Sequence, residues 1–184
     1  MRYYKIVYDY NKSDDRIFLH FNQDDLPFNR YDVYSSKPLQ ATKLLCTITK
    51  GRIGDCDYLA NNLSFLVVSQ RAKEVMVAHN LCKCEFIEVY EKENNLLLGY
   101  LVNCLEHFAA LDEENSRCQR FPGDSITPLI VIRFAILENA VNQKDFFQLQ
   151  EDIFPYFVSE KLQKTMKTEG LVGFDFERVL FPKK

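Results

Sequence analysis

The chain repeats itself. A buried-type run that ends at a serine and leads into an amphipathic stretch occurs twice. The first copy is Phe65-Leu-Val-Val-Ser-Gln-Arg71, running on to Phe86 and Val89. The second is Pro155-Tyr-Phe-Val-Ser-Glu-Lys161, running on to Phe176 and Val179. With Ser69 laid on Ser159, no gap is needed from Val68 to Tyr90. Val68/Val158, Met76/Met166, Leu81/Leu171, Phe86/Phe176 and Val89/Val179 are then identical too. Each copy (65–90 and 155–180) reads as strand, serine, short helix, turn and second strand, the pattern expected of an internal strand–helix–strand duplication. Serine is a good N-cap, because its hydroxyl accepts from a free amide of the first helical turn. Ala72, Val75, Met76 and His79 fall on one helical face, and Leu162, Thr165 and Met166 on the matching one, the i, i+3, i+4 spacing of a helix lying on a core. Gly170 fits a C-cap, with Asn80 at the corresponding position.

The rest of the chain mixes strand and helix signals without strict alternation. Residues 2–10 alternate as a strand does, with Arg16–Phe21 as a hairpin partner across Asn11–Asp15. Asn22 to Pro38 reads as loop, Lys43–Thr49 as a strand, Leu96–Val102 as a central strand and Leu129–Leu137 as another. Pro122-Gly-Asp124 marks a loop, and Phe174 and Phe176 share one face of a last strand. The expected class is α+β, with mixed and antiparallel sheets and a few short helices.

At 184 residues the chain can bury a substantial core as one domain, 1–184. No apolar run approaches the ~18 residues of a membrane span. The N-terminus lacks a secretory apolar region, so a cytoplasmic location and no membrane partner are expected. Under that reading the six cysteines are core thiols rather than a disulfide framework. Net charge is −3, but residues 81–115 hold eight acids against two lysines. An acidic middle argues against nucleic acid and suits a basic protein partner. Glu91, Glu93, Glu113 and Glu114 are the candidate contact residues.

Chemistry is harder to place. His79-x-x-Cys82-x-Cys84 is the one ligand-like cluster, but Cys-x-Cys is not the usual zinc spacing and no second cluster completes it. The repeat also sets Val172 opposite Cys82 and Phe174 opposite Cys84, which favours core thiols. Ser69 and Ser159 lie outside any Gly-x-Ser-x-Gly elbow, and there is no phosphate-cradling glycine loop. No catalytic residue, metal or cofactor is assigned.

Several elements occur in a telling order: Leu66-Val-Val-Ser-Gln-Arg71, Leu101-Val-Asn103, Leu111-Asp112-x-x-x-Ser116, Ile132-Arg-Phe134, then Phe157-Val-Ser-Glu-Lys161 with Glu169-Gly-Leu-Val-Gly-Phe174. Over residues 55–180 the set resembles a predicted immunity-protein family of bacterial polymorphic toxin systems. Residues 1–54 offer almost nothing to match and form a variable N-terminal part, and Gln70 stands where the pattern has an acid. The resemblance implies a non-enzymatic protein that binds and neutralises a cognate toxin. It also implies that Ser69, Arg71, Asn103, Asp112, Ser116, Ser159, Glu160, Gly170 and Gly173 are caps, turns and frame rather than toxin contacts. Two rivals stay open: a small intracellular hydrolase or metal-dependent enzyme, and an interaction module outside any toxin system.

Overall fold

The computed structural model describes residues 1–10, 16–54, 56–78, 83–119 and 130–180. In chain order the elements are β1 (Tyr3–Tyr8), β2 (Phe18–His20), β3 (Lys43–Lys50), β4 (Ala60–Asn61), β5 (Val67–Val68), α1 (Gln70–Ala78), β6 (Cys84–Glu91) and β7 (Leu97–Cys104). There follow β8 (His107–Phe108), β9 (Arg117–Gln119), β10 (Ile130–Arg133), β11 (Phe146–Leu149), β12 (Tyr156–Ser159), α2 (Glu160–Thr168) and β13 (Phe174–Arg178). The fold is α+β and dominated by sheet. One sheet has the order β4-β2-β3-β6-β7-β5, a second β13-β1-β12-β11-β8, and β9 and β10 form a separate ribbon. Parallel pairs (β2 with β4, β3 with β6, β8 with β11) sit among antiparallel ones, so the sheets are mixed.

Both strand–serine–helix stretches build the same unit. In the first, β7 lies between β5 and β6; in the second, β1 lies between β12 and β13. The registers agree residue for residue. Val68 pairs with Tyr100 as Val158 pairs with Tyr4, and Phe86 pairs with Val102 as Phe176 pairs with Ile6. A further correspondence lies upstream, where Tyr58 bridges to Val68 and Phe146 pairs with Val158. The N-terminal strand therefore completes the C-terminal unit.

This corrects the expected hairpin between residues 2–10 and Arg16–Phe21. Both edges of β1 are taken by β12 and β13, while β2 pairs with β3 and β4. The reason is burial. Ile6 packs in the core that β12, β13 and α2 share, and Leu19 in the core beneath the other sheet. The strand expected over Leu129–Leu137 is shorter, since β10 stops at Arg133 and residues 135 and 136 make only isolated bridges. Leu129, the Asn11–Asp15 turn and the Pro122-Gly-Asp124 loop lie outside the described residues.

Among the described residues the core has three parts. The central one holds the inner faces of both units: Val68, Ala72, Met76 and Val102 from the first, Ile6, Val158, Leu162 and Met166 from the second. Both helices thus lie on one shared core, and burying a side chain such as Leu162 or Met76 contributes about 1.5–3 kcal/mol. The outer face of the larger sheet packs around Phe21, Phe65, Ile87 and Leu101. That of the smaller sheet packs around Tyr3, Phe147 and Phe157, whose rings meet edge-on or stacked. Gly99 sits where strands crowd: a Cβ there would lie 2.4 Å from the Val68 carbonyl oxygen.

Candidate functional site

The motif residues converge on two aspartates that sequence reasoning missed, Asp57, which is buried, and Asp145, which is half-buried. In the first unit Ser69 Oγ accepts from the Ala72 amide at 3.1 Å and donates to Asp57 Oδ1 at 2.6 Å. Arg71 Nη2 reaches Asp57 Oδ2 at 2.6 Å, and the Ser69 amide donates to the Asp57 carbonyl at 2.9 Å. In the second unit Ser159 Oγ accepts from the Leu162 amide at 3.2 Å and donates to Asp145 Oδ1. Lys161 Nζ stands 3.7 Å from Asp145 Oδ2, and the Ser159 amide donates to the Asp145 carbonyl at 3.0 Å. Each node is aspartate, capping serine and a base two residues into the helix. Each aspartate also precedes an aromatic residue that pairs with the strand leading to the serine, Tyr58 with Val68 and Phe146 with Val158. That Asp-aromatic pair was the available signal. It was hidden because it lies 12 residues before Ser69 but 14 before Ser159, so no gapless alignment joins the two.

The first node also binds the units together. Asp57 Oδ2 accepts from the Val172 amide at 2.8 Å, and Arg71 donates to the Gly170 carbonyl at 2.8 Å. Gly170 and Gly173 take φ of +67° and +94°, which glycine adopts without steric cost. Gly173 is also a close approach: a Cβ would fall 2.3 Å from Cys56 Sγ. So Ser69, Arg71, Gly170 and Gly173, far apart in sequence, meet around Asp57. Burial pushes the Asp57 carboxyl up, but hydrogen bonds from Arg71, Ser69 and the Val172 amide outweigh it and hold the group below its usual range. Such a carboxylate is a poor general base, and each serine hydroxyl accepts from a helix amide and donates its proton to its aspartate. Glu160 lies outside its node, 3.7 Å from Arg2 and 3.2 Å from Lys164.

The other motif residues clasp loops. Asn103 is fully buried and donates to the Lys37 carbonyl at 2.8 Å and to Glu85 at 3.0 Å, and Glu85 accepts from the Leu39 amide at 2.7 Å. Asp112 accepts from the Asn115 amide at 3.2 Å, while Ser116 Oγ accepts from the Ala135 amide at 2.8 Å. These side chains satisfy backbone groups that the turns would otherwise leave without partners.

Comparison with protein-family models matches residues 5–180 to the immunity protein family Imm11. The chain belongs to this family. The match takes in β1 from Lys5 onward and so reaches well beyond the 55–180 span of the ordered motifs, into the N-terminal part that supplies a strand of the second unit. A search of curated proteins finds no match.

In the Imm11 fold the four candidate contact acids do not form one patch. Glu91 and Glu93 lie at the β6–β7 turn, half-buried and exposed, and Glu91 accepts from Asn94 at 2.8 Å. Glu113 and Glu114 are exposed in the turn held by Asp112 and Ser116, beyond the far end of β7 and beside the smaller sheet. Other acids of the 81–115 segment are engaged internally, Glu106 with Lys144 at 2.6 Å and Glu88 with the Tyr90 hydroxyl at 2.8 Å. Of the ligand-like cluster, His79 and Cys82 lie outside the described residues, as does Asn80. Cys84 packs against the central core. Among the described residues no group of three or more His, Cys, Asp or Glu is placed to hold a metal, and no helix is long and apolar enough to cross a membrane.

One open cleft of about 410 Å³ lies where β1 leaves its sheet and meets the larger one. Its walls include Tyr8, Tyr10, Arg16, Lys50 and Tyr58. Arg16 is buried, donates to the Asp9 carbonyl at 2.7 Å and stands 5.7 Å over the Tyr8 ring. Tyr8 meets Tyr10 and Tyr58 edge-on at 5.0 and 5.4 Å, and Tyr10 is 85% exposed at the mouth. Aromatic walls with a fixed guanidinium suit the entry of a partner's side chain.

Proposed function

We propose that this chain is a cytoplasmic, non-enzymatic immunity protein of a polymorphic toxin system that neutralises its cognate toxin by stoichiometric binding. The observation that carries the reading is the Imm11 match over residues 5–180. The motif side chains support it by being spent on caps, clasps and nodes, which leaves the outer surfaces free to vary with the partner. We read residues 1–184 as one immunity-protein-like domain whose two units arose by duplication, with β1 supplying the last strand of the second.

Three surfaces are put forward as toxin contacts: Glu91 with Glu93, Glu113 with Glu114, and the mouth of the cleft at Tyr10. Co-expression with the toxin encoded beside it is expected to restore growth and to yield a complex that survives purification. Growth arrest in the presence of excess folded protein would remove the proposal. Charge reversal at either acidic pair is expected to slow association, and the difference from wild type fades as salt rises. Tyr10→Ala is expected to weaken the complex about tenfold or more without lowering the melting temperature.

A further inference from the structure

The toxin-neutralising reading uses none of the cysteines, yet two of them face each other. Cys84 opens β6, Cys104 closes β7, and the ladder pairs them directly. Just outside the pair, the Leu105 amide donates to the Lys83 carbonyl at 2.9 Å. In an antiparallel ladder such a bond flanks a non-hydrogen-bonded pair, whose Cα atoms stand about 4.5 Å apart with close side chains. Both thiols lie on the central core, so they share a face of the sheet. Cys104 is fully buried and Cys84 half-buried. A disulfide requires a Cα separation of about 4.4–6.8 Å, so the backbone already has the spacing for a bridge. Among the described residues, the ladders pair no other two cysteines: Cys46 stands opposite Glu91 and Cys118 opposite Val131.

We infer that Cys84 and Cys104 are a dithiol modification site that closes to a cross-strand disulfide when a small-molecule disulfide is offered. Cys84 reacts first because solvent reaches it. Its thiolate attacks one sulfur of oxidised glutathione and expels a glutathione thiolate, leaving a mixed disulfide. The Cys104 thiolate then attacks the Cys84 sulfur and expels the second glutathione. Two protein thiols are oxidised, one external disulfide is reduced to two thiols, and the two protein protons end on the glutathiones. In a reducing compartment the pair rests as thiols. When oxidised, it staples the open end of the β6–β7 hairpin beside the core that both units share.

The test treats the folded full-length chain with oxidised glutathione at mildly alkaline pH, blocks remaining thiols with an alkylating reagent and maps the peptides by mass spectrometry. Expected is one intramolecular link joining Cys84 to Cys104, a mass loss of about 2 Da and a raised melting temperature. Cys104→Ser is expected to trap Cys84 as the glutathione adduct. The wild-type map decides the matter even if that variant does not fold. Full alkylation of both residues, a wild-type chain that stops at the adduct, or a bridge joining other cysteines (Cys82 to Cys84 above all) would overturn the inference.

Discussion

Asp57 shows how much a single side chain settles. It accepts from Ser69, Arg71 and the Val172 amide, and so fixes the start of one helix and the loop after the other. Its carboxyl titrates below the usual range in the folded chain. The unfolded chain therefore binds the proton more readily, and the stabilisation is full above the ordinary carboxylate value of about 3.9. It is lost as pH falls through the folded value. Asp57→Asn is expected to lower stability at neutral pH by about 3 kcal/mol and to flatten the acid limb of a melting-temperature profile. An acid limb unchanged by the substitution would place the titrating group elsewhere. Gly173→Ala would force φ of +94° on a Cβ that meets Cys56 Sγ at 2.3 Å. A loss of about 3 kcal/mol or more in denaturant unfolding is expected. Both serines and Gly170 were legible in the sequence because caps depend on local chemistry. Asp57 and Asp145 were not, because the loops leading to the two serines differ in length.

Among the elements, β1 is the instructive case. Its alternation was plain, but its partners were not, since β12 and β13 lie at the other end of the chain and nothing local names them. Proximity pointed to Arg16–Phe21 instead, and burial of Ile6 and Leu19 in different cores decided against it. As a central strand, β1 hydrogen-bonds on both edges. Lys5→Pro, paired across to Phe157 and Glu177, removes a ladder donor from the middle of the sheet. A loss of about 3 kcal/mol or more is expected, with amide exchange accelerated in β12 and β13. Exchange that speeds up only in β1 would mean the second unit holds without it. The helices were read correctly from Ala72, Met76, Leu162 and Met166 because the 3.6-residue period is local. That both lie on one core was not visible, as it depends on how the two sheets pack.

At the scale of the whole molecule the fold is a pair of corresponding units around a common core, flanked by two outer cores. The α+β class followed from mixed strand and helix signals. The toxin-neutralising role proposed for the protein rests not on any chemistry in the chain, but on an ordered set of frame residues and on the family they mark. The acidic segment shows why contacts are harder to read than frame. Residues counted together along the sequence are divided by the length of β7, and Glu85 and Glu106 are spent inside the fold. The sharpest test titrates the toxin's activity, at a concentration well above the dissociation constant, with increasing amounts of this protein. Stoichiometric binding predicts a linear fall that ends at a fixed molar equivalence and does not deepen with time. Activity that persists past saturation, or that a small fraction of an equivalent removes progressively, would contradict it.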